Sequence, residues 1–307
     1  MSKKIVKTHK KELKLSNCGF DHDPVESIVR SQWQSRSKNN IYLIYRLLVA
    51  IFVIAVVIVS MYSHMQKYSF GLFFIYLTHW GILINMVVGV FGAILVTTWH
   101  FHTDFQENIL KNSEMPTAFK IYWALHNIAL ITSFAVTIIY WSILHNDKIP
   151  INAPNILSHA MNSVIMFLDI LIVAHPLRLF HVIQPICFGV SYGIFSYIYY
   201  LCGGVNILGN PFIYNVLNWA EPGKAMVTVF GTLDLAIIVH VILFWIYKLR
   251  VFIQRRYFST EFILPTTAPS QRLNRSQMGS QISMVFADDE GCTNDAFKNT
   301  QTKYTHN

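Results

Sequence analysis

Six long apolar runs set the terms for this chain: Ile41–Tyr62, Phe70–Thr98, Ile121–Leu144, Asn155–Ala174, His181–Cys202 and Ala225–Tyr247. A helix rises about 1.5 Å per residue, so roughly 20 apolar residues cross the hydrocarbon of a bilayer. Inside lipid, every backbone N–H and C=O must find its partner within the protein, which makes each run a helix. The expected fold is all-α, a polytopic membrane protein built as a bundle of six transmembrane helices over residues 41–250. A tail of residues 1–40 precedes it and a disordered tail of residues 251–307 follows. Charged residues are 13 % of the chain, about half the share of a soluble domain, in keeping with lipid as the solvent.

The net charge of +8 does not read as a nucleic-acid footprint, because the cations collect at the ends of the spans. Lys3, Lys4, Lys7, Lys10, Lys11, Lys14, Arg30, Arg36 and Lys38 precede the first run, and Lys248, Arg250, Arg255 and Arg256 follow the last. Lys111, Lys120 and Arg178 sit in the second and fourth loops, against Lys67, Lys148 and Lys224 in the odd-numbered ones. Positive residues stay cytoplasmic, so both termini are expected in the cytosol. The lysine-rich start leaves Ile41–Tyr62 as a signal anchor. Within the first tail, His22–Gln34 is mixed in polarity. It suits a short helix at the membrane surface or a segment packed under the bundle.

No cofactor is expected. Cys18, Cys187, Cys202 and Cys292 have no metal or redox spacing, and Cys18 reads as a free tail thiol. His100 and His102, with Asp104 and Glu107, read as a polar rim more than a metal site. The sequon Asn274-Arg275-Ser276 falls in the cytosolic tail, where it is not glycosylated.

The informative residues are the polar ones inside apolar runs, because ionisable groups at membrane depth are costly. Arg46 lies about five residues into the first run and Asp169 about five from the end of the fourth, both about 7–8 Å deep in the same leaflet. Two readings of Arg46 stand: it snorkels to the interface, or it pairs with Asp169 as a registry device. Asp234 falls near mid-membrane, where a carboxyl is protonated or paired. His126 and Asn127 suit hydrogen bonds between helices. Asn155 or Ser158 would cap the fourth helix after Pro154. Thr78 in the second run and His159 in the fourth both lie toward the outer ends of their helices. A threonine hydroxyl needs a neighbouring base to become a nucleophile, and a neutral imidazole is one. The two residues are therefore candidate nucleophile and base, acting on a lipid ester that enters from the side. The tyrosines and phenylalanines Tyr192, Phe195, Tyr197, Tyr199 and Tyr200 form an interfacial belt or the wall of an acyl-chain pocket.

The segments around Thr78 and His159 resemble the androgen-inducible membrane hydrolases, six-span proteins that cleave fatty-acid esters of hydroxy fatty acids. The resemblance rests on Tyr76-Leu77-Thr78-His79, Leu157-Ser158-His159-Ala160-Met161, Phe188-Gly189-Val190-Ser191-Tyr192, Pro222-Gly223-Lys224-Ala225 and Phe230-Gly231. It implies Thr78 as nucleophile, His159 as base and a fatty-acid ester as substrate. His79 departs from the aromatic residue that follows the family's threonine. From about Cys18 to Arg250 the chain more closely resembles the rolling stone family. The marks are His22-Asp23-Pro24, Ser31-Gln32-Trp33-Gln34, Ile44-Tyr45-Arg46, Leu77-Thr78-His79-Trp80 and His175-Pro176-Leu177-Arg178-Leu179-Phe180-His181, with Gly203-Gly204 through Tyr214 and Trp219. That resemblance implies a plasma-membrane protein of mesoderm with a role in myoblast fusion during muscle development, its partners being membrane lipids.

Overall fold

The computed structural model describes residues 18–111, 115–146 and 151–258. Six helices in it are long and apolar enough to cross a membrane: Asn40–Met65, Leu77–Phe101, Thr117–Leu144, Ala153–Ile172, Leu179–Leu201 and Pro222–Tyr257. There is no strand among the described residues. The expectations for residues 1–14 and for the tail beyond residue 258, with its sequon and Cys292, lie outside the described residues. Successive spans run up and down, so the bundle has a base, where residues 18–39 pack, and a top, where the loop after the fifth span lies. The outward faces are apolar, with Ile51, Ile58, Ile94, Ile194, Val227 and Ile238 all exposed. This inverts the soluble pattern and is what a lipid solvent demands.

The helix ends follow local chemistry. Asn39 caps the first span, its side chain accepting from the Tyr42 N–H at 3.0 Å. The fourth span is capped by Asn152, which accepts from Asn155 N–H at 3.0 Å, and not by Asn155 or Ser158. Pro154 is inside the first turn, where its missing N–H costs nothing. The sixth span runs ten residues past Tyr247, to Tyr257, so the start of the expected tail is helix. A short helix, Thr103–Lys111, follows the second span, whose last turn holds His100 and whose C-cap is His102, and no cluster of three metal-ligating side chains forms among the described residues.

At the base, a polar network is embedded in the apolar core. Asp169 Oδ1 accepts from Arg46 Nη1 at 2.9 Å and from the Tyr45 hydroxyl at 2.8 Å, while Oδ2 lies 2.7 Å from His126 Nε2. Arg46 also donates through Nε to the Tyr42 hydroxyl at 3.0 Å and through Nη2 to the Tyr122 hydroxyl at 2.8 Å. Arg46 is 1 % exposed, so the snorkelling reading gives way to the pair. The reason is visible in the sequence spacing: Tyr42, Tyr45 and Arg46 share one face of the first span, and Tyr122 and His126 one face of the third. Together they satisfy a guanidinium and a carboxylate that neither span could carry alone. The His175 ring packs on His126 at 4.4 Å, and Asn127 donates to the His181 carbonyl at 2.7 Å and to Gln184 at 2.9 Å.

Residues 18–37 form a strap packed under the bundle, the second of the two alternatives for this segment. It caps the fourth span. The last carbonyls of that helix have no partners of their own. The Ile172 carbonyl accepts from the Ser31 hydroxyl at 2.9 Å and the Gln32 N–H at 2.8 Å, the Leu171 carbonyl from Trp33 Nε1 at 2.8 Å, and the Ile170 carbonyl from Arg250 of the sixth span. Arg178, in the turn after that helix, donates to the carbonyls of Gly19 at 2.7 Å and Asp21 at 2.6 Å.

The strap carries a proton-sensitive group. Burial, seconded by the Arg178 charge, holds the His22 imidazole down at about 4 from an ordinary 6.5. Between those values the unfolded chain takes up a proton that the packed strap refuses, so the stability His22 lends is complete above about pH 6.5 and is lost as pH falls toward about 4. Amide exchange over residues 18–37 is expected to quicken between pH 7 and pH 5 relative to the spans, after correction for intrinsic rates. An unchanged ratio would remove the assignment.

Candidate functional site

The second apolar run does not form one helix. Phe70–Ile75 is a 3-10 turn, Tyr76 is extended with φ −92° and ψ 131°, and the span begins at Leu77. Thr78 therefore sits in the first turn at the top of the helix, not eight residues below its end. The break is held by side chains from elsewhere. The Tyr192 hydroxyl donates to the Ile75 carbonyl at 2.8 Å, and the Tyr214 hydroxyl accepts from the Leu77 N–H at 3.0 Å. His79, the residue that departs from the hydrolase pattern, lays its ring on Phe73 at 3.8 Å, 6° from parallel, and bonds the Phe73 carbonyl. It locks the 3-10 turn to the helix and does not reach the Thr78 hydroxyl.

Thr78 is buried and lines a cavity of about 80 Å³. The wall is Val136, Ile139 and Tyr140 of the third span, Gly189, Tyr192 and Gly193 of the fifth, Thr228 and Thr232 of the sixth, and Tyr214 and Leu217 of the loop above. No ionisable acid or base other than tyrosine belongs to it. Tyr192 thus walls a pocket, while Tyr197 is 44 % exposed, as a belt residue is. Residues Tyr214, Val216 and Leu217 of the top loop line this cavity. Gly203 and Gly209 have φ of +73° and +78°, a region open to glycine without cost. Trp219 Nε1 donates to the Ser196 hydroxyl at 3.1 Å, and Tyr199 to the Val205 carbonyl at 2.9 Å. Burial pushes the Tyr214 phenol up to about 12, against the hydrogen bonds from Thr78 and Leu77 that pull it down. It remains a neutral phenol over the start of the second span.

His159 is also at the top, on a π turn, Leu157–Met161, of the fourth span. The end of the third span is a second π turn, Tyr140–Leu144. Such turns are rare and occur often at functional sites. They place the Tyr140 ring flat on the His159 ring, 3.5 Å between centroids and 3° from parallel. Asn155 donates to the Tyr140 hydroxyl. His159 Nδ1 is buried with no hydrogen-bond partner, and His159 is not in the cavity wall. Thr78 and His159 share a neighbour, Tyr140, and no hydrogen bond joins them. Sequence reasoning missed Tyr140 and Tyr214, whose positions depend on the π turn and on a distant loop.

Three further polar residues within the spans, Asn85, Asp234 and His240, have separate surroundings. Asn85 bonds Ser133 at 2.9 Å, His240 lies 3.0 Å from the Arg178 carbonyl, and Asp234 is exposed on the sixth span.

The family model described as "Protein rolling stone" matches residues 1–265. Protein rolling stone of Drosophila melanogaster is 35 % identical over 260 residues, covering 82 % of this chain and 94 % of that one. No solved structure matches the chain.

Proposed function

Because the chain belongs to the rolling stone family, we propose that it is a plasma-membrane protein of myoblast fusion in developing muscle, both termini cytosolic, that handles a neutral lipid ester at its top cavity. One observation carries the second half of that reading: Thr78 lines a cavity walled by apolar and hydroxyl side chains with no ionised group. Such a wall favours an uncharged acyl chain over a soluble polar substrate. The hydroxyl is in the first turn of a helix, whose positive end favours charge developing on oxygen beside it.

As chemistry, the Thr78 hydroxyl attacks the ester carbonyl and its proton passes to His159. The tetrahedral intermediate collapses, the alcohol leaves with that proton, and water then hydrolyses the acyl-threonine. We assign the transfer to His159 Nδ1, which is buried and without a hydrogen-bond partner. Hydrogen bonds of this kind commonly tighten only with substrate in place.

A second reading, a fusion factor with no hydrolytic step, is favoured by the absence of a Thr78–His159 bond. An acyl-directed activity probe separates the two. Covalent labelling is expected on Thr78, absent in Thr78→Ala and reduced about 100-fold or more in His159→Ala, the scale of a lost general base. Labelling that survives both substitutions would overturn the hydrolase. Fusion activity undiminished in both would leave the non-enzymatic reading.

A further inference from the structure

The sixth span carries a carboxyl on its lipid side. Asp234 is exposed, and its helical neighbours are Phe230 at 58 % and Ile238 at 56 % exposure, with Val227 and Val241 further along the same face. It lies about 18 Å along the axis from the start of the helix at Pro222, and its short side chain cannot reach either headgroup layer from there. Within the apolar run Ala225–Tyr247 it is the sole acidic residue. Among the described residues no ion pair or hydrogen bond engages it. Ionisable groups inside membranes almost always face the bundle or pair with one another, and the other intramembrane aspartate of this chain, Asp169, does both.

We infer that this face of the sixth span docks a transmembrane helix of a different protein, carrying a lysine or arginine at the depth of Asp234. Charge complementarity selects the occupant. A second copy related by a two-fold axis along the membrane normal sets Asp234 against Asp234. Nor does a copy have a cation to offer: within the six apolar runs the one Lys or Arg is Arg46, buried and bonded to Asp169. Gly231, one turn before Asp234 on the same face, has no atom within 4 Å of where its Cβ would be, so a partner backbone can approach closely there.

The test uses the full chain, fluorescently labelled, in phosphatidylcholine vesicles with a synthetic leucine-rich transmembrane peptide bearing one central lysine. Energy transfer to the lysine peptide is expected, and not to the same peptide with central leucine. Asp234→Asn is expected to weaken association about tenfold, the scale of one interhelical polar contact in model peptides. Asp234→Lys should switch preference to a peptide with central glutamate. All of these residues face lipid, so the variants keep the fold. Equal transfer to the leucine peptide, or no effect of Asp234→Asn, would overturn the inference. So would Asp234-dependent transfer between two copies of the chain that excludes the lysine peptide, which would make the face a self-association surface.

Discussion

Replacing Asp169 by alanine is expected to lower stability by about 3–5 kcal/mol, the loss that follows when one partner of a buried ion pair is removed. Arg46, 1 % exposed, would keep its bonds to Tyr42 and Tyr122 and lose its counter-charge. Tyr45 and His126 would lose their shared acceptor at the same time. Arg46→Ala should cost a similar amount, leaving the carboxylate uncompensated. The double variant Arg46→Leu with Asp169→Leu should recover much of it, because the larger penalty belongs to the orphaned charge and not to the absence of the pair. Thermal unfolding in a mild detergent reads all three. Single losses under about 1 kcal/mol would place the pair with exposed salt bridges and would contradict its burial. A double variant as weak as the singles would mean that the pair itself, and not its isolation, holds the first, third and fourth spans in register.

The pair was one of two readings open for Arg46, and it could be drawn because depth can be computed from sequence: two residues each about five from the same end of an apolar run come to the same level at about 1.5 Å per residue. The same arithmetic failed for Thr78. It assumed an unbroken helix from Phe70, whereas the chain is extended at Tyr76. Nothing local forbids a helix through that residue. The break is held locally by His79 and Trp80, which bond the Phe73 and Phe74 carbonyls, and from more than a hundred positions away by Tyr192 and Tyr214. The Tyr140–His159 stack escaped for a related reason. Both residues sit on π turns, and each extra residue in a turn rotates the side chains after it away from where a regular helix would put them. The spans and their polar faces were thus within reach of hydropathy and spacing. The geometry at the top was not, since it comes from departures from regular helix stabilised in part by distant contacts.

Trp123→Ala is expected to be the other severe substitution, at about 3–5 kcal/mol, and its consequence should be local before it is global. The indole is 1 % exposed and is where the strap meets the bundle. Phe20 stands edge-on at 5.7 Å, His181 at 4.7 Å, and the Arg178 guanidinium lies 4.9 Å over the ring. Nε1 donates to the Pro176 carbonyl at 2.8 Å. Truncation therefore empties the socket under residues 18–22 and frees the turn from which Arg178 holds Gly19 and Asp21. The exposed Lys120–Asp21 ion pair, 2.8 Å long with Asp21 83 % exposed, cannot hold the strap alone, because solvent and salt screen it. Amide exchange in residues 18–37 should rise at least about tenfold while that of the second span stays near its original rate, because local opening needs less free energy than unfolding the bundle. Trp123→Phe separates the contributions: it keeps most of the ring and strands the Pro176 carbonyl, and should cost about 1–3 kcal/mol. A strap that stays protected in Trp123→Ala would show that its anchors are the fourth-span carbonyls capped by Ser31, Gln32 and Trp33 and not the indole.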